Sequence, residues 1–153
     1  YLHHGLELAP IIFGGRQERG LRSGTENVAG IIGFATALAL CVKLRERESI
    51  RLTELRDYFI GQLLQLPNVI LNGSLASRLP NNINVSFIGA DGEFVVLNLD
   101  ARGVVASTGS ACSFNGGVDE RDIMSVRFTL GREANRQDIN YLIKQLKHYV
   151  HST

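Results

Sequence analysis

Three groups of residues in this chain have types and spacings that could do chemistry. The first is Ser107-Thr108-Gly109-Ser110-Ala111-Cys112, five small residues leading into a thiol directly after the apolar run Val104-Val105-Ala106. This order predicts a strand entering a tight, open loop with Cys112 at its tip, where backbone and ligand can approach closely. A structural cysteine more often sits inside an apolar run, packed as a small hydrophobe. A catalytic thiol needs access and a route to the thiolate, because the free side chain has a pKa of about 8.5. An inert thiol fits the same residues equally well.

The second group is Gly14-Gly15-Arg16-Gln17-Glu18-Arg19-Gly20-Leu21-Arg22-Ser23-Gly24-Thr25, glycine-rich, with three arginines, ahead of a long helical pattern. Free backbone N–H groups and the helix dipole make such a place receptive to phosphate, and Ser23 and Thr25 add hydroxyls. An ordinary capped helix behind a polar loop has the same composition. The third is Arg127 in Ser125-Val126-Arg127-Phe128-Thr129-Leu130. Period-two alternation puts Val126, Phe128 and Leu130 on one face and Arg127 with Thr129 on the other. A guanidinium on a strand is a rigidly placed fork for a carboxylate, although a structural ion pair would use it the same way.

These groups need elements to position them. Residues 1–24 read as loop, with a short strand near Ile11-Ile12-Phe13. Ser23 or Thr25 caps the helix that follows, with Glu26 at the positive end of its dipole. Apolar spacing carries that helix to about Leu66, with a break near Arg47 to Ser49, and Pro67-Asn68 stops it. Val69-Ile70-Leu71 is a short strand closed by Asn72-Gly73, and Ile83, Val85 and Phe87 alternate as a half-buried strand. Residues 93–101 form a short helix, 104–107 a strand, 125–130 another. Asn135 caps a last helix with Asp138 as its capping-box partner and an apolar stripe of Ile139, Leu142, Ile143, Leu146 and Val150. The order predicts an α/β sandwich: a small antiparallel or mixed sheet with helices on one face, plus a long N-terminal helix.

Composition narrows the function. A chain of 153 residues can bury a core of its own. Its net charge of +1, with basic residues spread along the chain, gives no footprint for nucleic acid or an anionic membrane. The run Val28 to Val42 is apolar but short for a span and holds Gly30, Gly33 and Thr36, so a buried helix is expected, with Cys41 in the core. No secretion signal accompanies the two cysteines, and the expected compartment is the cytoplasm or an organelle matrix. His3, His4, His148 and His151 show no metal-ligand spacing, and no metal site is expected. The opening at Tyr1, in an irregular segment, reads as part of a longer protein.

Taken together, the segments Gly14 to Asn27, Pro80-Asn81-Asn82-Ile83-Asn84-Val85-Ser86-Phe87, Ser107 to Cys112 and Ser125 to Arg132 resemble the NifS/IscS-type cysteine desulfurases. These are class V members of the fold-type-I pyridoxal-phosphate enzymes. The resemblance covers essentially the whole chain but only the C-terminal half or less of a family member. It implies that residues 1–27 are a loop and phosphate-facing segment belonging to a large domain. Residues 28–153 would be the C-terminal small domain with the helix that joins it to the large one. It further implies removal of sulfur from L-cysteine, leaving L-alanine and a persulfide on Cys112. Arg127 would hold the substrate carboxylate. Thr25 would reach the cofactor phosphate of the partner subunit, which requires a homodimer. A sulfur-acceptor protein, such as an iron–sulfur scaffold, or a tRNA-thiolation pathway would take the product; no membrane or direct nucleic-acid partner is implied.

Two departures from the family pattern bear on this. The family's cofactor lysine sits in a Ser-x-His-Lys motif, whereas the lysines here are Lys43, Lys144 and Lys147, all in helical patterns. The resemblance therefore implies a parent enzyme and an inactive chain on its own. The connection from Cys112 to Arg127 is also shorter than the family's by roughly a dozen residues. Either the loop is truncated, or residues are missing between about Phe114 and Gly116. A selenocysteine lyase or another class V lyase or aminotransferase is the nearest alternative. A non-enzymatic dimerisation or sulfur-transfer partner-binding domain is the alternative from another class.

Overall fold

The computed structural model describes residues 3–108 and 125–150, with side chains through residue 147. The chain divides into two compact units, Tyr1–Leu44 and Arg45–Thr153.

In the first unit, the expected strand at Ile11-Ile12-Phe13 does not form; these residues are exposed bends and loop. With no neighbouring strand to pair, a three-residue apolar run has no reason to extend. The segment instead wraps on Ser23, which is buried. The Ser23 amide donates to the Ile12 carbonyl at 3.2 Å. The Ser23 hydroxyl accepts from the Arg16 amide at 3.3 Å. A single 3-10 turn, Glu18–Gly20, lies between them.

Helix α1 spans Val28–Leu63 without the break expected near Arg47. Its cap is neither Ser23 nor Thr25 but Asn27, whose Oδ1 accepts from the Gly30 amide at 3.0 Å. Ser23 is unavailable because its hydroxyl already closes the loop before it. The first half of α1 is not buried as expected: Val28 is 59%, Phe34 72% and Leu38 53% exposed. Cys41 is exposed too, not in the core. Residues 28–42 are apolar on nearly every side, so no single face separates them from solvent. By length and composition α1 could cross a membrane, with a mean hydropathy of 1.7 in its best window. One such helix is weak evidence, since a helix made to be covered by protein passes the same test.

The second unit carries the core. Strands β1 (Val69–Leu71), β2 (Asn82–Phe87), β3 (Ser107–Thr108) and β4 (Ser125–Thr129) form one sheet in the order β1-β2-β4-β3. Every pairing in it is antiparallel. Strand β3 starts later than the expected 104–107, because among the described residues Val104, Val105 and Ala106 find no ladder partner and pairing with β4 begins at Ser107. Helix α2 (Gly92–Asp100) links β2 to β3, and α3 (Arg136–Val150) follows β4. Since β2 and β3 are both antiparallel to β4, they run parallel to each other with β4 between them, a split β-α-β unit.

One core joins these elements. Leu55, Phe59, Ile60 and Leu63 of α1, Val95 and Leu99 of α2, and Ile139, Leu142, Ile143 and Leu146 of α3 are buried with Ile83, Val85, Phe87, Val126 and Phe128 of the sheet. The strand residues all lie on one face by alternation, so the helices cover that face. Helix α2 starts at Asp91, whose carboxylate accepts from the Glu93 amide at 2.8 Å. Helix α3 starts at Asn135 with the expected reciprocal cap: Asn135 Oδ1 accepts from the Gln137 and Asp138 amides, and Asp138 Oδ2 accepts from the Asn135 amide at 3.0 Å. Asn81 and Leu130 exchange bonds beyond the end of the β2–β4 ladder, the Leu130 amide donating to the Asn81 carbonyl at 2.8 Å.

Candidate active site on the polar sheet face

Alternation that buries one face of the sheet sends a different set of side chains to the other. The register pairs Asn82 with Thr129, Asn84 with Arg127, and Ser86 with Ser125 across β2 and β4. Ser107 of β3 pairs with Arg127 from the opposite side. Arg127 therefore stands in the middle of a polar row, Asn84–Arg127–Ser107, on the face away from the helices. The core side of the same strands holds it there: Ile83 is opposite Phe128 and Val85 opposite Val126, all buried. A one-residue slip of β4 would send Phe128 into solvent and Arg127 into the core.

Arg127 is exposed, and its guanidinium has no ion pair or hydrogen bond with any described residue. Three other arginines of the unit are committed. Arg51 donates to the carbonyls of Ala134 and Arg132 at 2.8 and 2.7 Å. Arg56 is buried, paired with Asp57 at 2.7 Å and donating to the Leu79 carbonyl at 3.0 Å. Arg78 donates to the carbonyls of Ser74 and Asn72. Burial, and then the positive charge of Arg56, lower the Arg78 pKa. Those two side chains tie down the 72–81 connection between β1 and β2. Arg127 instead offers a fixed, unspent fork suited to a carboxylate.

Sequence reasoning passed over a hydrogen-bonded cluster beside Arg127. The Asn72 side-chain amide donates to Asn84 Oδ1 at 2.7 Å and to Ser86 Oγ at 2.9 Å. The signal was available: Asn82, Asn84 and Ser86 recur at period two on a strand whose other face is apolar.

In the first unit, Thr25 is exposed two residues before the helix cap, and its hydroxyl has no partner among the described residues. The rest of the glycine-rich loop is more committed than its composition indicated. Ser23 closes the loop, and the Gly24 amide donates to Gln17 Oε1 at 3.0 Å. Gly24 has φ +104°, a left-handed conformation that favours glycine there. Cys112 lies outside the described residues.

The family profile of the class-V aminotransferases matches residues 12–142. The chain belongs to the aminotransferase class-V family. Within that family it is similar to proteins named cysteine desulfurase. It is 42% identical to the cysteine desulfurase IscS of Dictyoglomus turgidum, with 98% of this chain and 41% of the relative covered. It is 35% identical to the cysteine desulfurase NifS of Azotobacter vinelandii, over 95% of this chain and 39% of the relative. Among solved structures, a NifS-like protein superposes with TM-score 0.90 at 29% identity, covering 100% of this chain and 42% of that one. A NifS-like protein from Rickettsia africae gives TM-score 0.85 at 29% identity, covering 97% and 41%. This class-V chain thus spans about 40% of the length of the curated relatives it matches. Its alignment with the Dictyoglomus protein runs over 163 positions against a chain of 153 residues, so at least ten positions of the relative have no counterpart here.

Proposed function

We propose that this chain is the C-terminal part of a pyridoxal-phosphate-dependent cysteine desulfurase of the cytoplasm. Residues 1–27 would belong to its large domain and 28–153 to its small domain and linking helix. The observation that carries the reading is Arg127, a guanidinium without a partner among the described residues, centred on a polar sheet face directly beside the strand that leads to Cys112. Thr108 pairs with Val126, next to Arg127. Cys112 follows Thr108 by four positions, and a fully extended chain over four steps reaches at most about 14 Å. The covalent chain alone keeps the thiol in the neighbourhood of the arginine. The names of the relatives supply the substrate.

In this reading Arg127 binds the α-carboxylate of L-cysteine and fixes its orientation. Cys112 supplies the thiolate: its Sγ forms a bond to the substrate sulfur as the substrate C–S bond breaks. The substrate carbon takes a proton, and the products are L-alanine and a Cys112 persulfide. No external oxidant is needed. The persulfide sulfur then passes to an acceptor protein such as an iron–sulfur scaffold, or toward tRNA thiolation.

The residues present fit one end of pyridoxal phosphate. Thr25 has a free, exposed hydroxyl close to a helix N-terminus, suited to a phosphate oxygen. Through the homodimer it would serve the partner subunit's cofactor. Lys43, Lys144 and Lys147 lie on the helices, exposed, and none is placed as a cofactor lysine. When bound, the cofactor supplies the electron sink. We assign the alignment deficit to the connection between Cys112 and Arg127, either as a truncated loop or as residues missing between about Phe114 and Gly116.

The test uses the full-length parent enzyme with Cys112→Ala. Persulfide formation from L-cysteine should vanish while cofactor absorbance stays. Retained desulfurase turnover would overturn the proposal. Alanine release from selenocysteine but not from cysteine in that variant would favour a selenocysteine lyase.

A further inference from the structure

We infer that Asn84 is a second substrate-positioning residue, donating its side-chain N–H to the carboxylate that Arg127 holds. The inference rests on the desulfurase reading of Arg127.

Asn84 stands directly across the β2–β4 ladder from Arg127. Side chains so placed have Cβ atoms about 4.5–5.5 Å apart, close enough for both to touch one small anion. A side-chain amide carries an acceptor oxygen and a donor NH2 group. The Asn84 oxygen is taken, accepting from Asn72 Nδ2 at 2.7 Å. Asn72 is itself held by its second bond, to Ser86 Oγ at 2.9 Å. This fixes which end of the Asn84 amide faces Asn72 and leaves its NH2 without a partner among the described residues. Asn84 is half-buried, and its NH2 is still reached by solvent, so a ligand at this face can take the donor. The Asn84 NH2 thus stands in the same row as the five guanidinium donors of Arg127, and the row Asn84–Arg127–Ser107 has no acceptor charge of its own. A carboxylate is the group that satisfies both.

The experiment measures L-cysteine kinetics in the full-length holoenzyme carrying Asn84→Ala or Asn84→Ser. A hydrogen bond to a charged acceptor, made in ground and transition states alike, acts on KM. KM should rise about tenfold in both variants while kcat stays within about twofold. Loss of the Asn72 bond should lower the melting temperature modestly in both variants, while the rate of Cys112 alkylation matches the parent; a merely structural role would lower kcat as well and would not split it from KM. If Asn84→Ala fails to fold, Asn84→Ser carries the test. An unchanged KM in Asn84→Ser, with Arg127→Ala raising KM, overturns the inference about Asn84 alone. An unchanged KM in Arg127→Ala overturns the reading on which it rests.

Discussion

Phe59 of α1 and Phe128 of β4 meet edge to face, with ring centroids 5.2 Å apart at 64°. The contact joins the longest helix to the strand that carries Arg127. Because Phe128 must stay under Phe59, its neighbour Arg127 must point the other way. Phe59 is fully buried. Phe59→Ala should therefore cost about 3–5 kcal/mol, the range for removing a buried aromatic ring. Urea denaturation would measure it, and a loss below about 1 kcal/mol would mean that the ring pair does not hold β4.

Arg51 bridges α1 to the turn before α3 through the carbonyls of Arg132 and Ala134. Its contact with Glu48 at 3.0 Å is partly exposed and adds little. Arg51→Ala should lower stability by about 1–2 kcal/mol, while Glu48→Gln should change it by about 0.5 kcal/mol or less. Equal losses in the two variants would assign the stabilisation to the ion pair instead.

The reciprocal cap at the start of α3 makes its own forecast. Asn135→Ala removes the acceptor for two amides and should cost about 1 kcal/mol. Asn135→Asp, which keeps an acceptor and suits the helix dipole, should restore most of that. Thermal melting of the two variants side by side gives the comparison, and equal melting would show that the cap is idle.

Thr25 lends itself to a binding measurement. In the full-length protein, Thr25→Val keeps the shape and removes the hydroxyl. Affinity for pyridoxal phosphate should fall about tenfold, the effect of losing one hydrogen bond to a charged oxygen. Stability without cofactor should be unchanged, since Thr25 is exposed. Unaltered affinity in an equilibrium titration would remove Thr25 from the cofactor site.

The elements of the second unit were legible in the residues themselves. Alternation at Ile83, Val85 and Phe87 and at Val126 and Phe128 specifies two half-buried strands, because side chains on a strand repeat every two residues. The Asn135–Asp138 cap is a local bond between neighbours and needs no tertiary information. For the same reason the outward direction of Arg127 followed from its position between two apolar residues.

What crosses the chain was decided only by the fold. Strand order β1-β2-β4-β3 brings Asn84 and Ser107 to either side of Arg127, residues 43 and 20 positions away in sequence. Periodicity within one segment carries no register between segments. Ser23 had the composition of a cap, yet the loop that closes on its hydroxyl left Asn27 to cap α1. Cys41 and its apolar neighbours matched a buried helix by type, and they are exposed. Hydrophobicity states that a surface favours cover; only the packing partners present in three dimensions determine whether it has any.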